Sequence, residues 1–314
     1  MPSPQRIASL LASGTEILYE LGLGERVVAV SHECDFPPDA VGKPRVTVSH
    51  IAAEANSGQI DRQVRDRLAE GSALYGIDTA MLAALEPDLI VTQAQCDVCA
   101  VKYADVLDAV RREPRLHTTQ VVTLNPTTPE DIFADIQRVG EATGRLPAAR
   151  QYVSELQNGI AAVRAKTDPL PPARRWRVAC LEWLDPLMLA ANWMPPLVDW
   201  AGGQQPLIDA AGKHSTYARW STIVQYDPEV IVVMPCGFDL PRAAREAELL
   251  RTLPGIGELS AVRGGRVVAV DGNAYFNRPG PRIVDSLDIL ARVLHPELFG
   301  PPSRGAAQPI LTNV

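Results

Sequence analysis

Short β-branched runs alternate along the chain with longer stretches of helical periodicity, the pattern of parallel βαβ units. Strands are expected at Ile7–Leu11, Val27–Ser31, Leu89–Thr92 and Val121–Leu124, then at Arg177–Leu181, Val230–Met234 and Val267–Val270. Helical patterns cover Pro129–Thr143 and Pro147–Lys166. In the second of these, Tyr152, Val153, Leu156, Ile160 and Val163 fall on one face. A segment of about 20 residues makes a helix of roughly 30 Å, the width of a small domain. Pro169 to Pro172 end it, because proline lacks the amide and clashes with the preceding turn. The expected fold class is therefore α/β. Residues 1–146 form an N-terminal lobe, 147–167 a stiff connecting helix, 168–300 a C-terminal lobe and 301–314 a tail.

The two halves echo each other. Leu85-Glu86-Pro87-Asp88-Leu89-Ile90-Val91 is matched by Tyr226-Asp227-Pro228-Glu229-Val230-Ile231-Val232, and Arg6-Ile7-Ala8-Ser9-Leu10 by Arg177-Val178-Ala179-Cys180-Leu181. In both, an acid-Pro-acid step ends a helix and starts a buried strand. Two matched pairs in the same order favour duplicated lobes.

Composition narrows the function. The 314 residues are 46% hydrophobic and 21% charged, as in ordinary globular proteins. A net charge of −7, with no cluster of Lys and Arg, argues against nucleic acid or an anionic membrane as partner. No apolar run approaches the roughly 20 residues of a membrane span. Before Ile7 there is no charged n-region followed by an apolar h-region and a cleavage site, so a cytoplasmic location is expected, or a periplasmic or extracellular one if the chain has been trimmed. Five cysteines, an odd number, suggest reduced thiols rather than a disulfide framework.

In open parallel sheets, ligands bind beyond the carboxyl ends of the strands. The unusual residues gather there. Ser13-Gly14-Thr15-Glu16 opens a helix after the first strand and offers backbone N–H groups to an anion. His32 and Cys34 follow the second strand, and Gln93, Gln95, Cys96, Asp97 and Cys99 follow the third. In the second half the corresponding positions hold Glu182 and Trp183, then Cys236, then Asp271, Tyr275, Phe276 and Arg278. Cys34, Cys96, Cys99 and Cys236 are candidate thiolate metal ligands, since Cys96-Asp97-Val98-Cys99 has the spacing used for zinc and iron–sulfur ligation. The plainer reading of each is a half-buried structural thiol, and Cys180, inside a strand, reads as core. Trp183, Trp193, Tyr275 and Phe276 are candidates to stack on a flat macrocycle, with core packing as the ordinary alternative. Arg278 and Arg282 can pair with a carboxylate or phosphate. No nucleophile elbow, zinc-protease helix, Walker loop or dinucleotide fingerprint is present, so catalytic residues are not assigned.

These residues resemble the helical-backbone substrate-binding proteins of ABC importers, the family of the vitamin B12-binding and ferric-siderophore-binding proteins. The resemblance runs from about Arg6 to His295. It rests on Ile7-Ala8-Ser9-Leu10-Leu11-Ala12-Ser13-Gly14-Thr15-Glu16, on Glu86-Pro87-Asp88-Leu89-Ile90-Val91, on the long central helix and on Gly264-Gly265-Arg266-Val267. It is nearest the cobalamin-binding branch. It implies two Rossmann-like lobes with parallel sheets joined by one rigid helix, and a corrinoid, haem or iron chelate held between the lobes without chemistry. Members dock on a permease through a Glu on each lobe. The equivalent positions here are Ala80 and Ser221, which weighs against an ABC importer as partner.

Three functions follow from these observations. The first is binding of cobalamin or another metal chelate in the inter-lobe cleft, with Ser13, Gly14, Thr15, His32, Glu182, Trp183, Trp193, Tyr275, Phe276 and Arg278 as ligand contacts. The second is a cytoplasmic protein that holds its own zinc or iron–sulfur cluster on Cys34, Cys96, Cys99 and Cys236. The third is an enzyme with a cleft cysteine as nucleophile.

Overall fold

The computed structural model describes residues 3–52, 54–94, 100–208 and 212–311. The chain divides into two compact units, one of Met1–Ala55, Gln59–Pro126 and Glu130–Glu155, the other of Asn56–Gly58, Thr127–Pro129 and Leu156–Val314.

The first half of the chain runs β1 (Ile7–Ser9), α1 (Ala12–Glu20), β2 (Val27–Val30), α2 (Pro38–Val41), β3 (Thr47–Ser49), α3 (Ser57–Ala69), β4 (Tyr75–Ile77) and α4 (Thr79–Ala84). It continues with β5 (Leu89–Gln93), α5 (Tyr103–Arg112), β6 (Gln120–Leu124), α6 (Pro129–Ala142) and α7 (Leu146–Thr167). Four strands form a parallel sheet in the order β2-β1-β5-β6. The central strands β1 and β5 are buried at every position, as expected of parallel strands covered on both faces. Ala8, Leu10, Ala29, Val46, Leu82, Ile90, Val106 and Leu116 make a continuous core cluster. β3 and β4 form a separate antiparallel pair that the hydrophobic pattern does not announce, because the strands are short and Val48 points outward, 52% exposed.

Gly14 shows why α1 starts as it does. A Cβ there would stand 2.9 Å from Val91 Cγ1 and 3.2 Å from Ser9 Oγ, so the missing side chain is what lets the first turn of α1 close onto β1 and β5.

The second half contains β7 (Trp176–Leu184), β8 (Leu187–Leu189), α8 (Met194–Trp200), β9 (Gly203–Gln204), β10 (Thr216–Tyr217), α9 (Trp220–Tyr226) and β11 (Val230–Val233). It ends with α10 (Leu240–Glu246), α11 (Ser260–Arg263), β12 (Val267–Val270), α12 (Ile283–Leu294), α13 (Pro296–Phe299) and β13 (Ala307–Ile310). The sheet order is β10-β8-β7-β11-β12-β13, with β9 pairing β7. β7, β11 and β12 are parallel, whereas β8, β10 and β13 add antiparallel edges, so this sheet is mixed rather than purely parallel. Residues 301–314, read from the sequence as a tail, supply β13 along the full length of β12.

The internal echo has an atomic counterpart. Glu86 (φ 43°) and Asp227 (φ 49°) both adopt left-handed backbone just before proline, ending α4 and α9. Asp88 accepts the Gln5 and Arg6 amides at 2.8 and 3.1 Å, and Glu229 accepts the Arg177 amide at 3.1 Å. The Arg6 Nε donates to the Leu85 carbonyl, and the Arg177 Nε to the Asp227 carbonyl. One carboxylate and one arginine thus fix the register of β1 on β5, and the same pair of residue types fixes β7 on β11.

Gly14→Ala should cost about 1–3 kcal/mol by overpacking, whereas Gly42→Ala, where an added Cβ meets nothing within 4 Å, should be close to neutral. Denaturant unfolding of both variants checks this.

Candidate ligand-binding site

In the first unit the carboxyl end of β1 leads through Leu10 and Leu11 into α1. Ser13, Thr15 and Glu16 are buried. The Thr15 N–H is bonded to the Leu11 carbonyl inside the helix, so it is not available to an anion. The Thr15 hydroxyl donates to Ser9 Oγ at 2.8 Å and lies 3.0 Å from Cys34 Sγ, which is also 3.2 Å from Ser31 Oγ. Cys34 is fully buried. Its thiol belongs to a hydroxyl network that ties the end of β2 to α1, the setting of a structural cysteine. The Ser13 hydroxyl is buried with no hydrogen-bond partner among the described residues.

His32, just past β2, is held on both sides of its Cα. Its N–H donates to Thr47 Oγ1 at 2.9 Å, and its ring Nδ1 is 2.7 Å from the same oxygen. The ring stacks on Tyr75 at 5.4 Å between centroids. Burial, then the nearby Arg45 guanidinium, holds the imidazole below its ordinary pKa, which favours the neutral form. Nε2 is buried and has no hydrogen-bond partner among the described residues, with Glu33 Oε1 3.9 Å away.

In the second unit, the loops after β7, β11 and β12 lock together. Gly272 lies so close to Pro235 that a Cβ would stand 2.2 Å from its carbonyl oxygen. The Asn277 amide donates to the Met234 carbonyl at 2.9 Å, and the Asn273 N–H to the Phe238 carbonyl at 3.0 Å. Asp271 Oδ1 accepts the Ala274 N–H at 2.6 Å, and burial raises this carboxyl above its ordinary pKa. Glu182 stands past the last β7–β11 rung, with Ser215 Oγ donating to its Oε2 at 2.6 Å. Burial pushes Glu182 up to about 7, against the opposing effect of the Ser215 hydrogen bond.

Other expected contacts are committed to the fold. Phe276 is fully buried, and Trp193, 8% exposed, donates its indole N–H to the Phe276 carbonyl at 3.1 Å; both are core rather than stacking surfaces. Arg278 is buried, with a bond to Asn273 Oδ1 at 3.0 Å, and so holds its own loop. Trp183 meets Phe238 edge to face, and Tyr275 lies under the Arg282 guanidinium; both rings keep partial exposure.

Residues 7–274 match the family described as periplasmic binding protein. That span is most of the chain. The chain belongs to the periplasmic binding protein family. It is 21% identical over 296 residues to the uncharacterized ABC transporter substrate-binding lipoprotein YvrC of Bacillus subtilis, covering 94% of this chain and 82% of the relative. Its fold is similar to that of the periplasmic vitamin B12 binding protein BtuF of Vibrio cholerae, with a TM-score of 0.64 and 20% identity over 94% of this chain and 98% of the other. It is also similar to that of the periplasmic heme-binding protein RhuT of Roseiflexus, with a TM-score of 0.68 and 20% identity over 93% of this chain and 98% of the other.

For a periplasmic binding protein the cytoplasmic expectation is overturned: the family is periplasmic and the Bacillus relative is a lipoprotein, which points to a periplasmic or extracellular location. The family consists of substrate-binding proteins, not enzymes; they bind small ligands and usually work with ABC transporters. Ala80 and Ser221 lie exposed on α4 and α9. Among the described residues no helix is long and apolar enough to cross a membrane.

The cysteine cluster is not carried further. Among the described residues no group of three or more His, Cys, Asp or Glu side chains is placed to hold a metal ion. Cys34 is buried in its hydroxyl network, Cys236 is exposed, and Cys96 and Cys99 lie outside the described residues. Cys180, read as core, is fully buried.

Sequence reasoning missed Thr47, Tyr75 and Ser215. The first two sit on β3 and β4, and Ser215 lies 33 residues from Glu182, with no local signal linking them.

The raised carboxyl has a consequence for stability. The folded binding protein holds the Glu182 proton more tightly than a carboxyl at the ordinary 4.5, so its contribution is full below about 4.5 and is lost as pH rises through about 7. Glu182→Gln should therefore match wild type at pH 4 and exceed it at pH 8, by about 2–3 kcal/mol. Unfolding midpoints measured at the two pH values check the sign.

Proposed function

We propose that this binding protein carries a small metal chelate of the corrinoid or porphyrin type, held by the loops at the carboxyl ends of its parallel strands. The observation that carries the reading is an imidazole nitrogen of the first unit that the fold does not use. Among the described residues His32 Nε2 has no hydrogen-bond partner. A neutral imidazole fixed through its other nitrogen is a good donor to iron or cobalt. Within the second unit Trp183 and Tyr275 are partly exposed at strand ends, ring faces of the kind that stack on a flat macrocycle. Relatives with this fold include a vitamin B12 binding protein and a heme-binding protein, which supports the same cargo class here.

The purified chain titrated with haemin, aquocobalamin and cyanocobalamin should change the visible spectrum of at least one of them, with saturation at one equivalent. His32→Ala should weaken binding of haemin or aquocobalamin, whose metal can take a new axial nitrogen, by about tenfold or more, the loss of one good polar contact. No spectral change and no heat of binding with any of the three would remove the proposal.

A further inference from the structure

Glu182 occupies a special backbone position. β7 pairs Leu181 with Leu189 and Trp183 with Met188, so the register shift between them leaves Glu182 as a bulge residue with no partner on β8. Such a bulge takes a side chain out of the strand's alternation and re-aims it. The parallel pairing with β11 ends at Leu181 and Val233, and the Cys236 N–H reaches the Glu182 carbonyl at 3.3 Å. One carboxyl oxygen is already assigned. The Ala191 N–H donates to Ser215 Oγ at 3.1 Å, and the single Ser215 proton goes to Glu182 Oε2. Oε1 has no partner among the described residues.

We propose that Glu182 is a specificity-determining residue that donates one hydrogen bond, through Oε1, to an uncharged carbonyl on the edge of the bound chelate. This deepens the chelate reading and rests on it. The partner of the Glu182 carboxyl is a hydroxyl, and among the described residues no ion pair involves it, so a carboxylate edge placed here would lack a counter-charge. Burial raises the carboxyl to about 7, so that below neutral pH a proton is there to donate. The titratable and charged groups on neighbouring segments are Cys180 on β7, Asp185 in the turn to β8, Lys213 and His214 before Ser215, and Cys236 after β11. None of them contributes to the raised value, which comes from burial first and is opposed by Ser215.

Calorimetric titration of the full chain with cyanocobalamin, whose corrin edge bears uncharged amides, tests this between pH 5.5 and 8.5. The expected affinity is constant at low pH and falls above about pH 7, approaching tenfold per pH unit as one proton must be taken up. Glu182→Gln, whose amide also donates, should bind within about threefold of wild type at pH 6 and lose the pH dependence. Glu182→Ala should bind about tenfold more weakly at pH 6. A flat wild-type profile, an affinity that rises with pH, or wild-type binding by Glu182→Ala would overturn the inference. Binding of haemin without cyanocobalamin would overturn it while leaving the chelate reading in place, and binding of neither would remove both.

Discussion

A parallel strand covered on both faces has no room for chemistry along its length. β1, β5 and β11 are buried at every position, and the middle of β7 is buried too. A polar group placed there is costly unless satisfied, as Ser9 is by Thr15 and the Leu11 carbonyl, whereas among the described residues the Thr92 hydroxyl on β5 has no hydrogen-bond partner. Functional side chains are therefore driven to the strand ends, where backbone pairing stops. His32 stands two residues beyond the last β1–β2 rung, and Glu182 one residue beyond the last β7–β11 rung.

Holding those ends in place needs a fixed register at the other end, and each unit solves it in the same way. A left-handed acidic residue ends a helix, proline prevents its continuation, and the next acid binds the amides that start the neighbouring strand. The arginine beside those amides closes the arrangement by donating to the helix's last carbonyls. Two solutions with the same residue types in the same order are what a duplicated ancestral lobe would leave behind. Around this shared frame the units diverge: the first keeps an all-parallel sheet, and the second adds antiparallel strands at both edges. One of those additions, β8, creates the bulge that isolates Glu182.

The cysteines show how residue type can mislead. Four of them follow strand ends in the sequence, and that position suggested ligation. Cys34 instead finds two hydroxyls close by, and buried hydroxyl–thiol contacts satisfy it without a metal. Trp193 and Phe276 teach the same lesson for aromatics: the indole N–H is aimed at a backbone carbonyl of the same core. Thr15 lies 19 residues from Cys34, and the Phe276 carbonyl lies 83 residues from Trp193.

The amino-acid sequence by itself determined the order of the seven strands β1, β2, β5, β6, β7, β11 and β12, the central helix now bounded as Leu146–Thr167, the repeated acid-Pro-acid starts and the family. These are local signals: a hydrophobic period, a proline and a glycine too close to a sheet for a side chain act over a few residues. Only the tertiary structure decided which strand-end residues keep an unspent polar atom. That depends on partners 15 residues away for His32 and 33 for Glu182, and on a bulge whose partner strand has no strong pattern of its own. Burial and hydrogen-bond satisfaction are properties of the packed neighbourhood, and no single segment carries them.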